Sequence, residues 1–312
     1  MATLGIDTSN YTTSAAVLGE AGAMNAGRLL DVAEGELGLR QSEALFQHVK
    51  RLPEQFERLE QAGLLRGIQA VAASTRPRAA EGSYMPCFLA GASQGQVLAR
   101  SLGVPFYAVS HQQGHLAAAA WSAGRLELLD RPFLAWHLSG GTTELLLAEP
   151  EGGSVSARVI GGTSDLAAGQ LIDRTGVLLG LRFPAGKALD ALAEQSRREA
   201  CFSVRVREGR FSLSGVENQV KARRAQGERP EDLARFVLLT VAKAVVKATE
   251  EARRQYPGLP VLCSGGVASN RLLRQVLHGC CGALFAQPEY STDNAMGAAV
   301  LARRLLEREV RA

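Results

Sequence analysis

Short apolar runs that end in small or polar residues recur along this chain of 312 residues. Such runs indicate β-strands, and the longer segments between them carry apolar residues at helical spacing. A chain in which strands and helices alternate is typical of an α/β protein. The pattern predicts strands at residues 3–9, 13–18, 70–73, 105–109, 133–138, 143–148 and 260–264.

The longest apolar stripe at helical spacing lies in residues 41–63, and most of it is predicted to face the core. Pro53 interrupts this segment, so it forms either two helices or one helix with a kink. The stripe consists of Leu45, Phe46, Val49, Leu52, Phe56 and Leu59. Further helices are predicted at residues 88–102, 116–121, 215–224, 230–254 and 293–308, and two more begin within residues 161–174 and after residue 186.

Three strands end in turns that suit a phosphate group. The first turn starts with Asp7, which is available to order a cation or a water, and the second is the glycine turn at residues 139–142. Two similar hairpins indicate a duplicated domain whose phosphate loops face each other across a cleft. In the third turn Gly265 and Gly266 precede a helix, whose N-terminus is a natural nucleotide contact. These turns resemble the nucleotide-binding fold of actin, Hsp70 and the sugar kinases (ASKHA), two RNase H-like lobes with a nucleotide cleft between them.

A pair of histidines, His111 and His115, directly follows the predicted strand at residues 105–109. If the run after this strand is helical, the two imidazoles lie one turn apart on one face, which suits a shared metal ion. The same spacing also fits two partly exposed helix residues without a ligand role. Two imidazoles do not complete a metal site, and the best third ligand is Asp293, where a loop enters the final helix.

The length of the chain favours two lobes, since single hydrophobic cores rarely exceed about 250–300 residues. We expect an N-terminal lobe at residues 1–108 and a C-terminal lobe with a helical insertion at residues 109–312, whose last helix, at about 293–310, packs back towards the first lobe. With 46% hydrophobic and 21% charged residues, the composition is that of a globular protein. No apolar run reaches the ~18 residues that cross a bilayer, and the first residues do not resemble a signal peptide. We therefore expect a cytoplasmic protein without a membrane partner.

The net charge and the cysteines say less about the function than these motifs do. A net charge of +4 permits a nucleic-acid partner without requiring one, and the basic run from Arg197 to Arg224, which is sparse in acids, is the segment predicted to contact RNA. The five cysteines are odd in number and irregularly spaced, which favours reduced structural thiols. The vicinal pair Cys280 and Cys281 leaves soft-metal binding or oxidation open as the alternative.

Six motifs in a fixed order resemble the TsaD family, the ASKHA enzymes that complete N(6)-threonylcarbamoyladenosine in tRNA. The resemblance runs from Leu4 to Ala302. Each motif is weak alone, whereas six in the same order are specific. They are the two histidines with the glycine between them, Ser-Gly-Gly at residues 139–141, Ala-Ala-Gly-x-x-x-Asp at 167–173, Pro-x-Gly at 184–186, Ser-Gly-Gly-Val-Ala-x-Asn at 264–270 and Thr-Asp-Asn at 292–294.

The resemblance implies a role for each matching position. His111, His115 and Asp293 look like the family's ligands for one iron or zinc ion, with positions left open for substrate. The implied contacts of the nucleotide are Asp173, Gly186, Asp190 and Asn270 for ribose and adenine, and Ser139, Gly140 and Gly141 around the phosphate and the acyl group, with Gly265 and Gly266 beside them. The catalytic side chains that we expect are Asp7, Ser139 and Thr142.

The implied reaction moves a threonylcarbamoyl group from threonylcarbamoyl-AMP to the exocyclic amine of the adenine just 3′ of the tRNA anticodon. The bound metal would polarise and position the acyl carbonyl, and AMP would leave. Another adenine nucleotide is the alternative ligand. The implied partners are tRNA and the accessory proteins of the pathway, including a paralogous ASKHA subunit and an ATPase.

Three loops depart from the family pattern, and all are expected around the acyl group. Residues 10–12 lack the acids that relatives usually have, residues 76–86 replace a Gly-Pro-Gly-Leu loop, and Thr142 to Glu144 replace His-Thr-Gln. The chain is therefore interpreted as a divergent paralogue whose acyl group or acceptor has changed.

Other functions remain open from the sequence. One is a carbamoyltransferase for a small anionic acceptor, which Arg76 and Arg78 would recognise, although a solvated loop explains these arginines equally well. Another is a non-catalytic nucleotide-binding partner of a synthase, which would not need three convergent ligands. A sugar or acetate kinase is disfavoured because it does not need the histidine pair. A zinc peptidase is disfavoured because Gln112 stands where its general base, a glutamate, would follow the first histidine.

Overall fold

The computed structural model describes residues 1–32 and 39–311. Its strands are β1 (Ala2–Thr8), β2 (Thr12–Leu18), β3 (Ala23–Leu29), β4 (Ile68–Arg76), β5 (Phe106–Ser110), β6 (Phe133–Leu138), β7 (Thr143–Glu151), β8 (Ser154–Thr163), β9 (Arg210–Phe211), β10 (Val261–Ser264) and β11 (Leu284–Phe285). Its α-helices are α1 (Gln41–Gln61), α2 (Phe88–Leu102), α3 (His111–Ser122), α4 (Ala168–Leu178), α5 (Gly186–Ala193), α6 (Ser214–Ala225), α7 (Pro230–Gln255), α8 (Arg271–Cys281) and α9 (Met296–Arg311).

The strands form two sheets with the same internal order. The first sheet has the order β3-β2-β1-β4-β5, and the second has the order β11-β10-β6-β7-β8-β9. In each sheet an antiparallel hairpin, β1–β2 or β6–β7, is followed by strands that pair in parallel with its first strand, β4 or β10. The duplication predicted from the two hairpin turns is therefore present, and the α/β class is confirmed.

Two of the longer strands, β3 and β8, were not predicted, and neither were the two-residue strands β9 and β11. β3 has the sequence Ala-Met-Asn-Ala-Gly-Arg-Leu and buries only Ala26, because it is the edge strand of its sheet. β8 contains an arginine and two glycines, and its burial does not alternate. Neither strand has the alternation of apolar and polar residues that identifies a half-buried strand from sequence.

The chain divides into two compact units, and the division differs from the expected one at residue 108. The first unit comprises Met1–Arg131, Glu149–Ala157 and Asp293–Ala312, and the second comprises Pro132–Ala148 and Arg158–Thr292. Helix α3 belongs to the first unit because it packs against α9 and β4. Helix α9 lies on β1, β2 and β4 of the same unit, and the Thr3 hydroxyl donates a hydrogen bond to the Ala299 carbonyl at 2.8 Å.

Helix α1 is one continuous helix with Pro53 inside it, and its predicted core stripe is partly wrong. Leu52 and Leu59 are buried, but Phe46 and Val49 are 57% and 53% exposed. The buried face instead carries polar side chains that find hydrogen-bond partners. His48 Nδ1 lies 2.8 Å from the Thr13 hydroxyl, and Arg51 donates to the Leu29 carbonyl.

The second unit has a larger core, built around the long helix α7. Helix α7 packs against α5 and α8, and its buried side chains join those of β6 and β10 in a single apolar cluster. Trp136 is fully buried in this cluster and donates from its indole nitrogen to the Thr249 hydroxyl at 2.9 Å. Among the described residues, no helix is both long and apolar enough to span a membrane.

Glycines let α9 approach its neighbours at backbone distance. A Cβ atom at Gly297 would lie 1.8 Å from the carbonyl oxygen of Gly114 in α3, and one at Gly5 in β1 would lie 2.3 Å from the carbonyl oxygen of Ala295. Backbone atoms cannot yield as the end of a flexible side chain can, so each position excludes any larger residue. The packing of α9 therefore depends on these two glycines.

We expect Gly297→Ala to lower the free energy of unfolding by ~3 kcal/mol or more, because the added methyl group forces α9 away from α3. Urea unfolding of both variants measures the effect, with Gly114→Ala as the matched control. A Cβ at Gly114 has its nearest neighbour at 3.9 Å, so this change should be neutral or stabilise the helix by up to about 1 kcal/mol. Equal unfolding midpoints for the two variants would contradict the packing argument.

Candidate metal centre and nucleotide pocket

The start of α3 is set by a capping box. The Ser110 hydroxyl accepts a hydrogen bond from the Gln113 backbone at 3.2 Å, and the Gln113 side chain accepts one from the Ser110 backbone at 2.8 Å. These reciprocal bonds satisfy two N–H groups at the helix terminus and make His111 its first residue. His115 then lies one turn later on the same face, as the spacing predicts.

Three donor atoms converge in the first unit. The Nε2 atoms of His111 and His115 are 2.9 Å apart, and Oδ1 of Asp293 lies 3.5 and 3.2 Å from them, respectively. Ligand atoms about 2.0–2.1 Å from a tetrahedral metal ion are separated by about 3.3 Å, so the three atoms approximate one face of such a site. Two imidazoles and one carboxylate on one face are donors that zinc and non-haem iron both accept. The residues fit the metal ion that the sequence implies.

Asp7 stands behind His111, on the side away from the other ligand atoms. Its Oδ2 atom lies 2.8 Å from His111 Nδ1, and its Oδ1 atom accepts the backbone N–H of Ser9 at 3.0 Å. The side chain is 2% exposed at the end of β1. A carboxylate that accepts the second ring N–H of a histidine fixes its tautomer and orientation towards a metal. Asp7, which was expected to be catalytic, therefore lies at hydrogen-bond distance from His111.

The charges of this cluster favour a cation. Burial lowers the pKa of His111, but the Asp7 carboxylate and Asp293 outweigh it and raise that pKa to about 10. Burial raises the pKa of Asp293, whereas its hydrogen bonds to His111 and His115 hold it well below its usual range. The carboxylates of Asp7 and Asp293 therefore both favour positive charge at His111. A divalent ion in place of the His111 proton would balance them.

The second unit contains a pocket of about 530 Å³ where strand ends, α4, α5 and the start of α8 meet. Six of the predicted nucleotide contacts line it: Gly140, Asp173, Gly186, Asp190, Gly266 and Asn270. These residues come from four separate segments of the chain. Their convergence on one cavity is the arrangement expected of a binding site for a small molecule.

The polar side chains of the pocket also hold its walls together. Asp173 Oδ1 accepts the Ala185 backbone N–H at 2.7 Å, which ties α4 to the loop before α5. Asp190 Oδ2 accepts the Arg271 backbone N–H at 3.1 Å, and Asn270 caps α8 by accepting from Leu273 at 2.9 Å. The second oxygen of Asp190 is buried without a hydrogen-bond partner among the described residues.

The other predicted contacts of the glycine turns do not line this pocket. The turn at residues 139–142 closes on itself, because Ser139 Oγ accepts the Thr142 N–H at 3.1 Å. Gly141 is at the exposed tip of that turn. Gly265 has a φ of 95°, and a Cβ there would lie 2.1 Å from the Leu138 carbonyl oxygen, so its role is to let β6 and β10 approach. Only its neighbour Gly266 reaches the cavity.

Several residues of the pocket were not predicted. Ile172 supplies an apolar wall, and Lys187 and Arg271 supply positive charge. Each is adjacent to a predicted residue, so their positions were available from the sequence, but a lone isoleucine or lysine carries no motif. Gly169, part of the Ala-Ala-Gly motif, is needed because a Cβ there would lie 2.5 Å from the Cα of Gly140.

The remaining candidates are on the surface or in the core. Arg76, the last residue of β4, and Arg78 are both exposed. Within the basic run, Arg198, Lys221 and Arg223 form ion pairs with acids of the second unit. All five cysteines are free thiols, and burial raises the pKa of the Cys281 thiol. Its neighbour Cys280 is exposed.

Solved structures share the fold at low sequence identity. Full-length HypF in its phosphate- and nucleotide-bound form aligns with 98% of this chain and 56% of its own, at a TM-score of 0.61 and 16% identity. Component A of the (R)-2-hydroxyglutaryl-CoA dehydratase of Acidaminococcus fermentans aligns over 97% of both chains, at a TM-score of 0.53 and 15% identity. These neighbours confirm the ASKHA fold.

Comparison with related sequences identifies the family, which the fold alone does not. The chain is 31% identical to a tRNA N6-adenosine threonylcarbamoyltransferase of Rhizobium etli, over 95% of this chain and 86% of the relative. It is 33% identical to the protein of that name from Granulibacter bethesdensis, over 94% and 85% of the two chains. Residues 37–300 match the model of the TsaD family, described as tRNA N6-adenosine threonylcarbamoyltransferase. The chain therefore belongs to the TsaD family.

Proposed function

We propose that this protein is a metal-dependent transferase that moves a threonylcarbamoyl group from threonylcarbamoyl-AMP to the N6 amine of the adenine 3′ of the tRNA anticodon. Membership of the TsaD family supports the reaction class. The observation that carries the proposal for this chain is the convergence of His111, His115 and Asp293, whose donor atoms all lie within 4.8 Å of one another. A protein that only bound a nucleotide would gain nothing from this arrangement.

One divalent iron or zinc ion is the proposed occupant of this donor set, where it would supply Lewis acidity towards the acyl carbonyl. His111 and His115 contribute neutral imidazoles, and Asp293 contributes one negative charge. Asp7 accepts the Nδ1 proton of His111 and so keeps Nε2 free to act as a ligand. Three protein donors would leave further coordination positions of the ion for oxygen atoms of a substrate.

The proposed role of the pocket in the second unit is to hold the adenosine part of the acyl donor. Asp173 uses one oxygen for the Ala185 N–H, which leaves the other to accept from a ribose hydroxyl. Gly140 offers backbone without a side chain, and nothing lies within 4 Å of the position of its absent Cβ. A phosphate can approach such a turn closely.

The chemistry needs orientation more than a covalent enzyme intermediate. In the transfer, a bond forms between the adenine N6 and the acyl carbon, the bond from that carbon to the AMP phosphate oxygen breaks so that AMP leaves, and N6 loses a proton to solvent. The exocyclic amine is a poor nucleophile, so holding donor and acceptor in reacting geometry supplies much of the rate. We place Ser139 and Thr142 among the residues that shape the acyl-phosphate contact, through the turn that they close.

The acyl donor and the partners are further parts of the proposal. The altered residues 10–12, 76–86 and 142–144 are expected to set which acyl group is accepted. We propose that the protein works with accessory proteins, a paralogous ASKHA subunit and an ATPase. An assay of activity therefore includes a complete bacterial accessory set.

We expect metal-loaded protein, unmodified tRNA and fresh threonylcarbamoyl-AMP to yield threonylcarbamoyladenosine, detected by mass spectrometry of the digested tRNA. His111→Ala and Asp293→Ala should each lose the metal and lower the rate roughly 100-fold or more, because one ligand of three is missing. His278→Ala is the control, since this exposed histidine lies outside the cluster. Full metal content in both ligand variants would exclude the metal site, and unmodified tRNA with fully loaded wild-type protein would exclude the reaction.

Asp7→Asn should weaken metal affinity about 10- to 100-fold without removing a ligand atom, because the His111 ring loses its charged hydrogen-bond acceptor. Competition with a chromogenic chelator measures the affinity, and circular dichroism checks the fold. An unchanged affinity would show that Asp7 does not position His111.

Asp173→Asn should raise the dissociation constant for AMP about ten-fold, because a neutral amide replaces the charged acceptor for a ribose hydroxyl. The amide oxygen can still accept the Ala185 N–H, so the loop should keep its position. Isothermal titration calorimetry gives the comparison, with Glu149→Gln, an exposed acid outside the pocket, as control. Equal affinities of wild type and Asp173→Asn would remove Asp173 from the nucleotide site.

A further inference from the structure

The loop between α4 and α5 carries an aromatic ring that the fold leaves in solvent. Phe183 is 74% exposed, more than any other aromatic side chain in the described part of the chain. Its neighbours Pro184, Gly186 and Lys187 line the nucleotide pocket, whereas Phe183 does not. The ring is therefore at the edge of the pocket and outside its cavity.

The loop that carries Phe183 is held in place by contacts with α4. Ala185 is fully buried, and a Cβ at Gly176 of α4 would lie 2.2 Å from the Cβ of Ala185. The Leu181 backbone N–H donates to the Gly176 carbonyl at 2.9 Å, and Asp173 holds the Ala185 N–H. The loop is anchored on both sides of Phe183, so the ring cannot fold back into the core without breaking these contacts.

Two cations flank the ring along the chain. Arg182 and Lys187 are exposed, and neither forms an ion pair with any residue that the structure describes. Of the acids close to this segment in the sequence, Asp190 and Glu194 pair with Arg271 at 3.5 and 2.9 Å, whereas Asp173 lines the same pocket as Lys187. We call the side chains of Arg182, Phe183 and Lys187 the pocket rim. The pocket rim combines an exposed aromatic ring with two exposed cations.

We propose that the pocket rim binds a single-stranded stretch of RNA, with one unstacked base on the Phe183 ring and backbone phosphates at Arg182 and Lys187. Proteins recognise single-stranded RNA by stacking splayed bases on aromatic rings and by placing cations along the backbone. The inference rests on the proposed function in one respect, since a tRNA substrate supplies such a strand in its anticodon loop. The rim then guides the loop to the edge of the nucleotide pocket.

The geometry favours RNA over the two other occupants. A free nucleotide would be enclosed by the cavity, which Phe183 does not line. A protein surface would need a wider apolar area than one ring between two charges. A nucleotide strand needs one flat face and two cations, which is what the three side chains offer.

Phe183→Ala should weaken binding of a tRNA anticodon stem-loop about ten-fold or more, because base stacking on the ring is lost. Fluorescence anisotropy with the full-length, metal-loaded protein measures this binding without any need for catalysis. In the modification assay the KM for tRNA should rise by a similar factor while kcat changes little. Phe183→Trp should restore both values, since any aromatic ring provides the stacking face.

The charge of the rim has its own readout. Each phosphate contact on a single strand contributes about 0.7 to the slope of log affinity against log salt concentration. The double variant Arg182→Gln, Lys187→Gln should therefore lower that slope by about 1.4. Val177→Ala, which removes another exposed apolar side chain from the end of α4, is the control and should leave RNA affinity unchanged.

Each contrary result has a distinct meaning. Stem-loop affinity of Phe183→Ala equal to that of the wild type overturns the inference. A matching loss of AMP affinity overturns it in favour of a lid on the nucleotide, and loss of an accessory protein with intact RNA binding overturns it in favour of a protein contact. If the wild type binds the stem-loop through Phe183 but never modifies tRNA, the inference stands and the proposed reaction fails.

Discussion

The approach of helix α9 to the backbone of β1 and α3 is the contact on which the candidate metal centre depends. Asp293 lies just before α9, 178 residues after His115 in the sequence, so only the position of this helix brings its carboxylate to the histidines. The helix reaches that position because Gly5 and Gly297 present no side chains at the contacts. This packing does not tolerate a larger residue, because the atoms on both sides are backbone atoms and no flexible side chain can move aside. Gly5 and Gly297 are therefore as necessary for the candidate metal centre as its three donor residues are.

A second constraint is electrostatic. Asp7 is almost fully buried, and a buried carboxylate is costly unless its charge is balanced and its oxygens accept hydrogen bonds. His111 and the Ser9 backbone N–H provide both for Asp7, and His111 and His115 do so for Asp293. The two acids favour positive charge at the start of α3, whether a proton or a metal ion carries it. The same bonds that stabilise the acids aim the imidazole nitrogens at one point, so stability and ligand geometry have a common source.

Much of this site could be predicted from sequence, and the limits have physical reasons. The histidine spacing and the cap at Ser110 are local, so helical geometry alone places both imidazoles on one face. Asp293 is distant in sequence and was identified by its donor chemistry and by the family motif, since no periodicity links it to α3. The polar face of α1 was not predicted, because polar side chains are buried only where they find hydrogen-bond partners. The partners of His48 and Arg51 lie on β2 and β3, which the pattern of α1 itself does not reveal. The edge strand β3 escaped because its exposure removes the alternation that marks a strand.

The role of a motif residue also depends on what its atoms already bind. Gly265 and Ser139 belong to motifs that suggest direct ligand contact, yet the glycine serves the approach of two strands and the hydroxyl closes its own turn. Lys187 and Phe183 belong to no such pattern, yet one lines the pocket and the other stands at its edge. A sequence motif therefore indicates which backbone conformation a segment needs. Proteins with different substrates can share that conformation. Side chains that the fold leaves unpaired beside a pocket have no structural use to explain them, so they are where the identity of the acceptor should be sought.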